Sequence, residues 1–390
     1  MRNLAVALLL FVLFELWPGF GLAQDEIKAT ELVPLEVDPA FSQEIPDPEH
    51  FRATVIKVDD AVSDQFGQSK AYQAVRLKLE SGSGKGEYVD LEHGLLFELA
   101  DEQKVTPGEQ IVATKNYKID GSVFWTITDK YRLNKAWWLV GIFVVLVIAV
   151  ARFRGLMSLL GLVASFLILS IFIVPSIIAG RDPALVSLAG SIAIILISIY
   201  LSHGFNKQTT VAVVSTSLTL ALAVAFSYLA VNWLGLSGVG SEDAYNLQIG
   251  LGAIDLKGLL LGGMIIGTLG VLDDITIGQT AIVAELYRAN HKLSMGELVR
   301  RGLRVGQEHI ASLVNTLVLA YAGASMAIFI FIAVSDLPIW VLLNSEFALE
   351  EITRALVGSS ALILAVPITT WLAAQAVKKY DLGEPVHGHH

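Results

Sequence analysis

The chain has 390 residues, of which 54% are hydrophobic, with a mean hydropathy of +0.61 and a formal net charge of −10. An ordinary soluble domain holds about 45–50% apolar residues, so a polytopic membrane protein is the first expectation, and the acidic balance leaves no basic face able to neutralise a nucleic-acid backbone. The lack of cysteine excludes disulfides, thiolate metal sites and a lipid-modified N-terminal cysteine.

Residues 1–23, MRNLAVALLLFVLFELWPGFGLA, pair Arg2 with an apolar run of about 11 residues and end on small residues. That pattern predicts a secretory signal peptide, since a spanning helix needs roughly 20 apolar residues. From 24 to 135 the chain turns polar, with 21 acidic and 13 basic residues, and reads as an exported, water-facing domain. Residues 24–50, with four prolines, read as an extended leader. Strand-like runs follow at 52–58, 71–80, 86–92, 109–117 and 122–128, separated by SGSGKG, TPGEQ and DG. The alternation of Val75, Leu77 and Leu79 with Arg76, Lys78 and Glu80 gives one dry and one wet face. Five such strands predict a small β-barrel of OB-like type or a sandwich. His50 and His93 are isolated, so this domain reads as a binding or gating cap rather than an enzyme.

After the interfacial tryptophans of NKAWW (134–138), seven apolar segments are predicted at about 137–151, 156–179, 184–202, 209–233, 256–273, 310–334 and 352–376. The expected fold is thus an α-helical polytopic membrane protein of about seven spans (136–379) behind an exported β-rich domain. Alternation puts Arg152, Arg154, Lys207, Arg288, Lys292, Arg300, Arg301, Arg304, Lys378 and Lys379 on the cytoplasmic side, as the positive-inside rule requires. Arg181, Lys257 and Arg354 are the exceptions. The C-terminus and tail (380–390) then lie in the cytoplasm; HGHH at 387–390 reads as incidental. Residues 233–256 are open between a loop and a short re-entrant or interfacial piece at 246–254.

The fifth segment carries the question of function. It pairs Gly258 with Gly262 and Gly263 with Gly267, spacings that let helix backbones approach closely or, with a break near Gly270, expose carbonyls. Asp273 and Asp274 follow, then Glu285. On a continuous helix 274, 278, 281 and 285 share a face. An acid deep in lipid costs about 2.5–3.5 kcal/mol and faces a bundle interior or a wet cavity; at a span's cytoplasmic end it costs far less, and both placements stay open here. Ser294 and Glu297 form a capping box that opens a basic amphipathic cytoplasmic helix near 294–309. Asn315 and Thr316 then sit inside the sixth span, where Asn needs a partner. The fourth span is rich in hydroxyls, Thr209, Thr210, Ser215, Thr216, Ser217 and Thr219, which either bond their own carbonyls or line a path.

These residues resemble the YibE/F family of bacterial multipass membrane proteins. The likeness rests on Gly270 to Asp274 followed by Glu285-Leu286, on Asn315, Thr316, Leu317, Leu319, Ala320, Tyr321 and Gly323, and on DKYR at 129–132. Asp273, where an apolar residue is usual, and ITIGQT depart from the pattern. The resemblance implies a bacterial inner-membrane protein with its N-terminal domain outside. It names no substrate. The leading expectation is a transporter, not an enzyme, in which Asp274, Glu285, Asn315 and Asp273 hold an ion or proton. Such oxygens suit a divalent cation or a proton, no further cofactor is implied, and no P-loop is present. Expected partners are membrane lipid and a small inorganic ion or solute, not nucleic acid, with homo-oligomer formation left open. The alternative is a scaffold whose exported domain binds a partner.

Overall fold

A computed structural model gives the architecture and describes residues 46–65, 68–95, 99–118, 120–251 and 254–380. The expected signal peptide, most of the proline-rich leader and the histidine tail lie outside them. The described chain divides into two compact units, one running to Leu146 and one from Val147.

The first unit is built on an antiparallel sheet of β1 (Glu49–Gln65), β2 (Gln68–Leu79), β3 (Tyr88–His93), β4 (Gln110–Tyr117) and β5 (Val123–Lys130), in the order β3-β2-β1-β4-β5. Ala53 pairs with Leu79 on one side and Ile111 on the other, and all three are fully buried. The dry face holds Val75, Leu77 and Leu79 while Arg76 and Lys78 stay exposed, so the period-2 pattern sets the inward face. Bulges between Val55 and Lys57 and between Val112 and Ala113 curl the sheet. The edge strands β3 and β5 come within 8 Å, yet no ladder joins them among the described residues. The expected barrel is therefore a half-barrel. β1 and β2 also run further than expected, pairing out to Gln65 and Gln68.

The second unit is helical. α1 (Leu133–Leu167), which begins in the first unit and continues into the second, passes through a π-helical stretch, Ile168–Ile173, into α2 (Val174–Ile178). Arg152, at φ 53° and ψ −132°, breaks α1. Residues 147 and 155 of a straight helix lie about 12 Å apart, yet a Cβ on Gly155 would stand 2.6 Å from the Val147 carbonyl oxygen. The helix turns back on itself there. α3 (Pro183–His203), capped by Asp182, is followed after Gly204 and the Asn206 cap by α4 (Lys207–Leu234). The uncertain segment is a short exposed helix, α5 (Glu242–Leu251). α6 (Leu256–Ala289) runs unbroken through Gly270 and the acids. α7 (Met295–Ala324) opens on the Ser294–Glu297 capping box, α8 (Met326–Val334) leaves it at 65°, and α9 (Ile339–Leu343) precedes α10 (Glu346–Tyr380). The amphipathic helix expected as a separate piece is thus the first half of α7, because no Gly-Pro or cap signal interrupts 294–324; the bend falls at Ser325 instead. Among the described residues five helices, Leu133–Ile178, α3, α4, α6 and α10, are long and apolar enough to cross a membrane, or six when the bent pair α7–α8 is counted as one span.

α6 is the centre, packed by α3, α4, α7 and α10. Gly262 lies against Ser187 and Gly258 against Pro183, so α3 and α6 run in parallel from a shared level. Gly302 and Gly306 of α7 let it close on α6 and α10: a Cβ on Gly306 would meet Val366 Cγ1 at 2.4 Å and Gln279 Oε1 at 3.1 Å.

Two outcomes are expected. Gly306→Leu overpacks this contact, costing about 1–3 kcal/mol, read as a lower unfolding temperature in detergent. In the sheet, His93 is buried and its Nε2 donates to the Gln103 carbonyl at 3.1 Å; burial holds its imidazole below its ordinary value. The stability linked to it is intact above about pH 6.5 and falls as the pH drops toward the lowered folded value, because the unfolded chain takes up a proton that the folded sheet refuses. Amide exchange in β2 and β3, corrected for intrinsic rate, should quicken between pH 7 and 5, and His93→Gln should abolish that dependence.

Candidate functional site

Helix lengths give a ruler. α3 has 21 residues, about 31 Å, and starts level with Gly258 of α6. Its last residue, His203, lies 20 residues or about 30 Å on, near the level of Gly278 and about one turn beyond Asp274. Arg154 and Asp274 both act electrostatically on His203, which agrees with this placement. Beyond Asp274 α6 continues for another 15 residues to Ala289, where Val283 joins Leu293, Leu298, Ala373 and Val377 in a buried cluster of α6, α7 and α10. Lys207, Arg288, Lys378 and Lys379 mark this as the basic end of the bundle.

The four expected site residues part company. Glu285 is exposed, paired with Arg288 one turn on, and 11 residues from Asp274. Eleven residues of helix separate them by about 16 Å, so no single ion touches both, although they share a face. Asn315 is exposed on α7. The pairing of Gly306 with Gln279 and of Tyr321 with Gly267 brings it level with Val271–Asp273. Asp274 is exposed too, on a stripe with Gly263, Gly267 and Gly270. Added Cβ atoms at Gly263, Gly270 and Gly278 would meet nothing within 4 Å, so the central helix leaves one narrow face uncovered.

Asp273 differs. It is half-buried, and its Oδ1 is fully covered without a hydrogen-bond partner. Between α4 and α6, Thr216 donates to the Ala212 carbonyl and accepts from the Thr276 hydroxyl at 2.7 Å; the Asp273 carbonyl, 3.2 Å from Thr276 Oγ1, is the alternative acceptor for that same hydrogen. The two helices are antiparallel, since Val231 of α4 packs beside Leu260 and Leu261 of α6. Three residues further from the basic end on each helix stand Thr219 and Asp273, at one level. Thr219 is fully buried and its hydroxyl is likewise unpartnered.

On the other side of α6, Gln279 is 1% exposed, and its Nε2 donates to the Gly302 carbonyl (2.9 Å) and Thr370 Oγ1 (2.7 Å), leaving Oε1 unpartnered. Thr370 passes its own hydrogen to the Val366 carbonyl, one residue before Pro367. A buried polar atom without a partner costs about 1–3 kcal/mol, and Asp273 and Gln279 on α6 and Thr219 on the facing α4 each carry that cost. Among the described residues no group of three or more His, Asp or Glu side chains is arranged to hold a metal ion. Sequence reasoning named Thr219 together with the other hydroxyls of α4 without setting it apart from them, and passed over Gln279; a lone Gln in an apolar run was the available signal.

At the opposite end, the loop before α5 wraps two acids of α10. Glu346 accepts hydrogen bonds from the Ser237 hydroxyl and backbone N–H and from Gly238 N–H, and Glu350 from Gly240 N–H at 2.9 Å. Gly238, at φ +89°, would place a Cβ 2.2 Å from the Leu256 carbonyl, so glycine is required.

No curated protein and no solved structure matches the chain. A family model described as YibE/F-like protein matches residues 139–379, the helical part that holds the glycine stripe, the acids and the Asn315–Gly323 run, and the chain therefore belongs to the YibE/F-like family.

Proposed function

We propose that the protein is a membrane transporter that crosses the bilayer seven times and moves, or is driven by, a proton or a monovalent cation at Asp273. The crossings are the two arms of α1–α2 on either side of Arg152, then α3, α4, α6, the bent pair α7–α8, and α10. The arms follow from length: 46 residues would extend about 69 Å, twice a hydrocarbon core of about 30 Å. On this reading the half-barrel lies outside and the basic end faces the cytoplasm.

The observation that carries the function is the covered, unpartnered Oδ1 of Asp273 level with the unpartnered Thr219 hydroxyl. An acid oxygen withdrawn from water is retained at a cost, and in membrane bundles such groups mark ion and proton paths. One carboxylate with neutral hydroxyls is a donor set for a proton or a monovalent ion; a divalent ion takes six to eight oxygens, usually with more than one carboxylate. Asp274, on the uncovered glycine stripe near His203 and Arg154, sits where an ion would enter from the basic end. Glu285 lies beyond this path.

Reconstituted in proteoliposomes under an imposed gradient, the full chain should carry protons or sodium. Asp273→Asn should slow that flux at least tenfold, while Glu285→Gln leaves it near wild type. Flux of neither ion, or flux indifferent to Asp273→Asn, refutes the assignment.

A further inference from the structure

The first half of α7 has two unlike faces. Leu298, Gly302 and Gly306 are buried against α6 and α10. The other face exposes Arg300, Arg301 and Arg304, with Val305 beside them. Spacings of three and four residues put the arginines together on the helix surface. Among the described residues none of the three is in an ion pair, although Glu297 is held by Ser294 nearby and Glu308 is one turn from Arg304. Three cations share a rigid surface on which Glu297, held by Ser294, is the carboxylate acting on Arg300 and Arg301, and the surface keeps a net positive charge for an external anion.

Their level says which anion. Gly306 faces Gln279, and the length of α3 puts the end of the apolar core beside it, near Gly278. The headgroup layer extends about 5–8 Å beyond that core on each side. Arg304 then stands at the depth of lipid phosphates, and Arg300 and Arg301 stand one turn further out, within reach through their long stems. The three arginines stand exposed on the outer surface of the helix, which suits a layer of headgroups rather than an enclosed small solute. Val305 adds an apolar contact at the same depth.

We propose that Arg300, Arg301 and Arg304 form a docking surface for anionic phospholipid headgroups, which fix the depth and tilt of α7 and with it the Gly302–Gln279 contact. This rests on the membrane-spanning reading but not on transport. Each arginine near a charged bilayer surface is worth about fivefold in lipid preference.

The test uses the full chain in micelles containing equal phosphatidylglycerol and phosphatidylcholine, with bound lipid counted by native mass spectrometry. The wild type should retain phosphatidylglycerol preferentially. The triple variant Arg300→Gln, Arg301→Gln, Arg304→Gln should lose most of that preference, and the triple lysine variant should keep it. Single glutamine variants, each expected to lose about fivefold, serve if the triple fails to fold. Equal retention of both lipids, or a preference surviving in the glutamine variants, overturns the proposal. So does millimolar inorganic phosphate displacing the lipid completely, which would reassign the surface to free phosphate. Insertion of every variant into pure phosphatidylcholine vesicles checks the spanning reading separately, and flux checks transport.

Discussion

The structure turns on how polar groups are satisfied along a helix packed on most of its circumference. α6 touches four neighbours, so its Thr276, Thr280 and Gln279 must find partners inside the bundle. Thr280 donates to the carbonyl one turn back at 2.6 Å, Thr276 reaches across to Thr216, and Gln279 bridges to both α7 and α10. Each of these bonds fixes rotation and register in a way apolar contacts do not, because a shift of one residue would strand a donor. Asp273, Thr219 and the Oε1 of Gln279 are places around this helix where the rule is not kept, and Asp273 is the acid among them, which makes it the candidate for function.

Glycine shows why the site was only partly legible. The pairs Gly258–Gly262 and Gly263–Gly267 have identical spacing, yet the first packs against Pro183 and Ser187, while Gly263 faces open space and Gly267 meets only the Tyr321 hydroxyl at 3.7 Å. The pairs lie about 100° per residue apart around the helix, and only the arrangement of neighbours decides which face is covered. The same limit applies to the acids. Asp273 and Asp274 are adjacent in sequence and point to different surroundings, so a motif that ends on Asp274 gives no sign that Asp273 carries the covered oxygen.

Periodicity, by contrast, was informative where one face is dry. All five strands lie where alternation and turns put them, and the apolar segments recur as helices. Continuity was less visible. Arg152 reverses a helix without glycine or proline, whereas 294–324, expected as an amphipathic helix followed by a span, is one helix whose capping box acts only at its start. Hydropathy changes along α7 while its backbone hydrogen bonding does not, since a helix satisfies its own backbone in water and in lipid alike.

That continuity links the two ends of α7 mechanically. The segment that buries Gly302 and Gly306 on Gln279 is the same rod that carries Asn315 past the level of Asp273 and Tyr321 past Gly267. A small rotation of α7 about its axis would break the Gln279 bond at one end and shift the Tyr321 hydroxyl at the other, where the bend at Ser325 relieves α8 from following. The lower half of α7 is tightly packed and the upper half mostly exposed, so such a rotation meets resistance chiefly at the glycine contact. The groove beside the uncovered stripe of α6 therefore has a single controlling point, the approach of Gly302 and Gly306 to Gln279. A side chain larger than glycine there disturbs the groove from about 9 Å away without touching either aspartate.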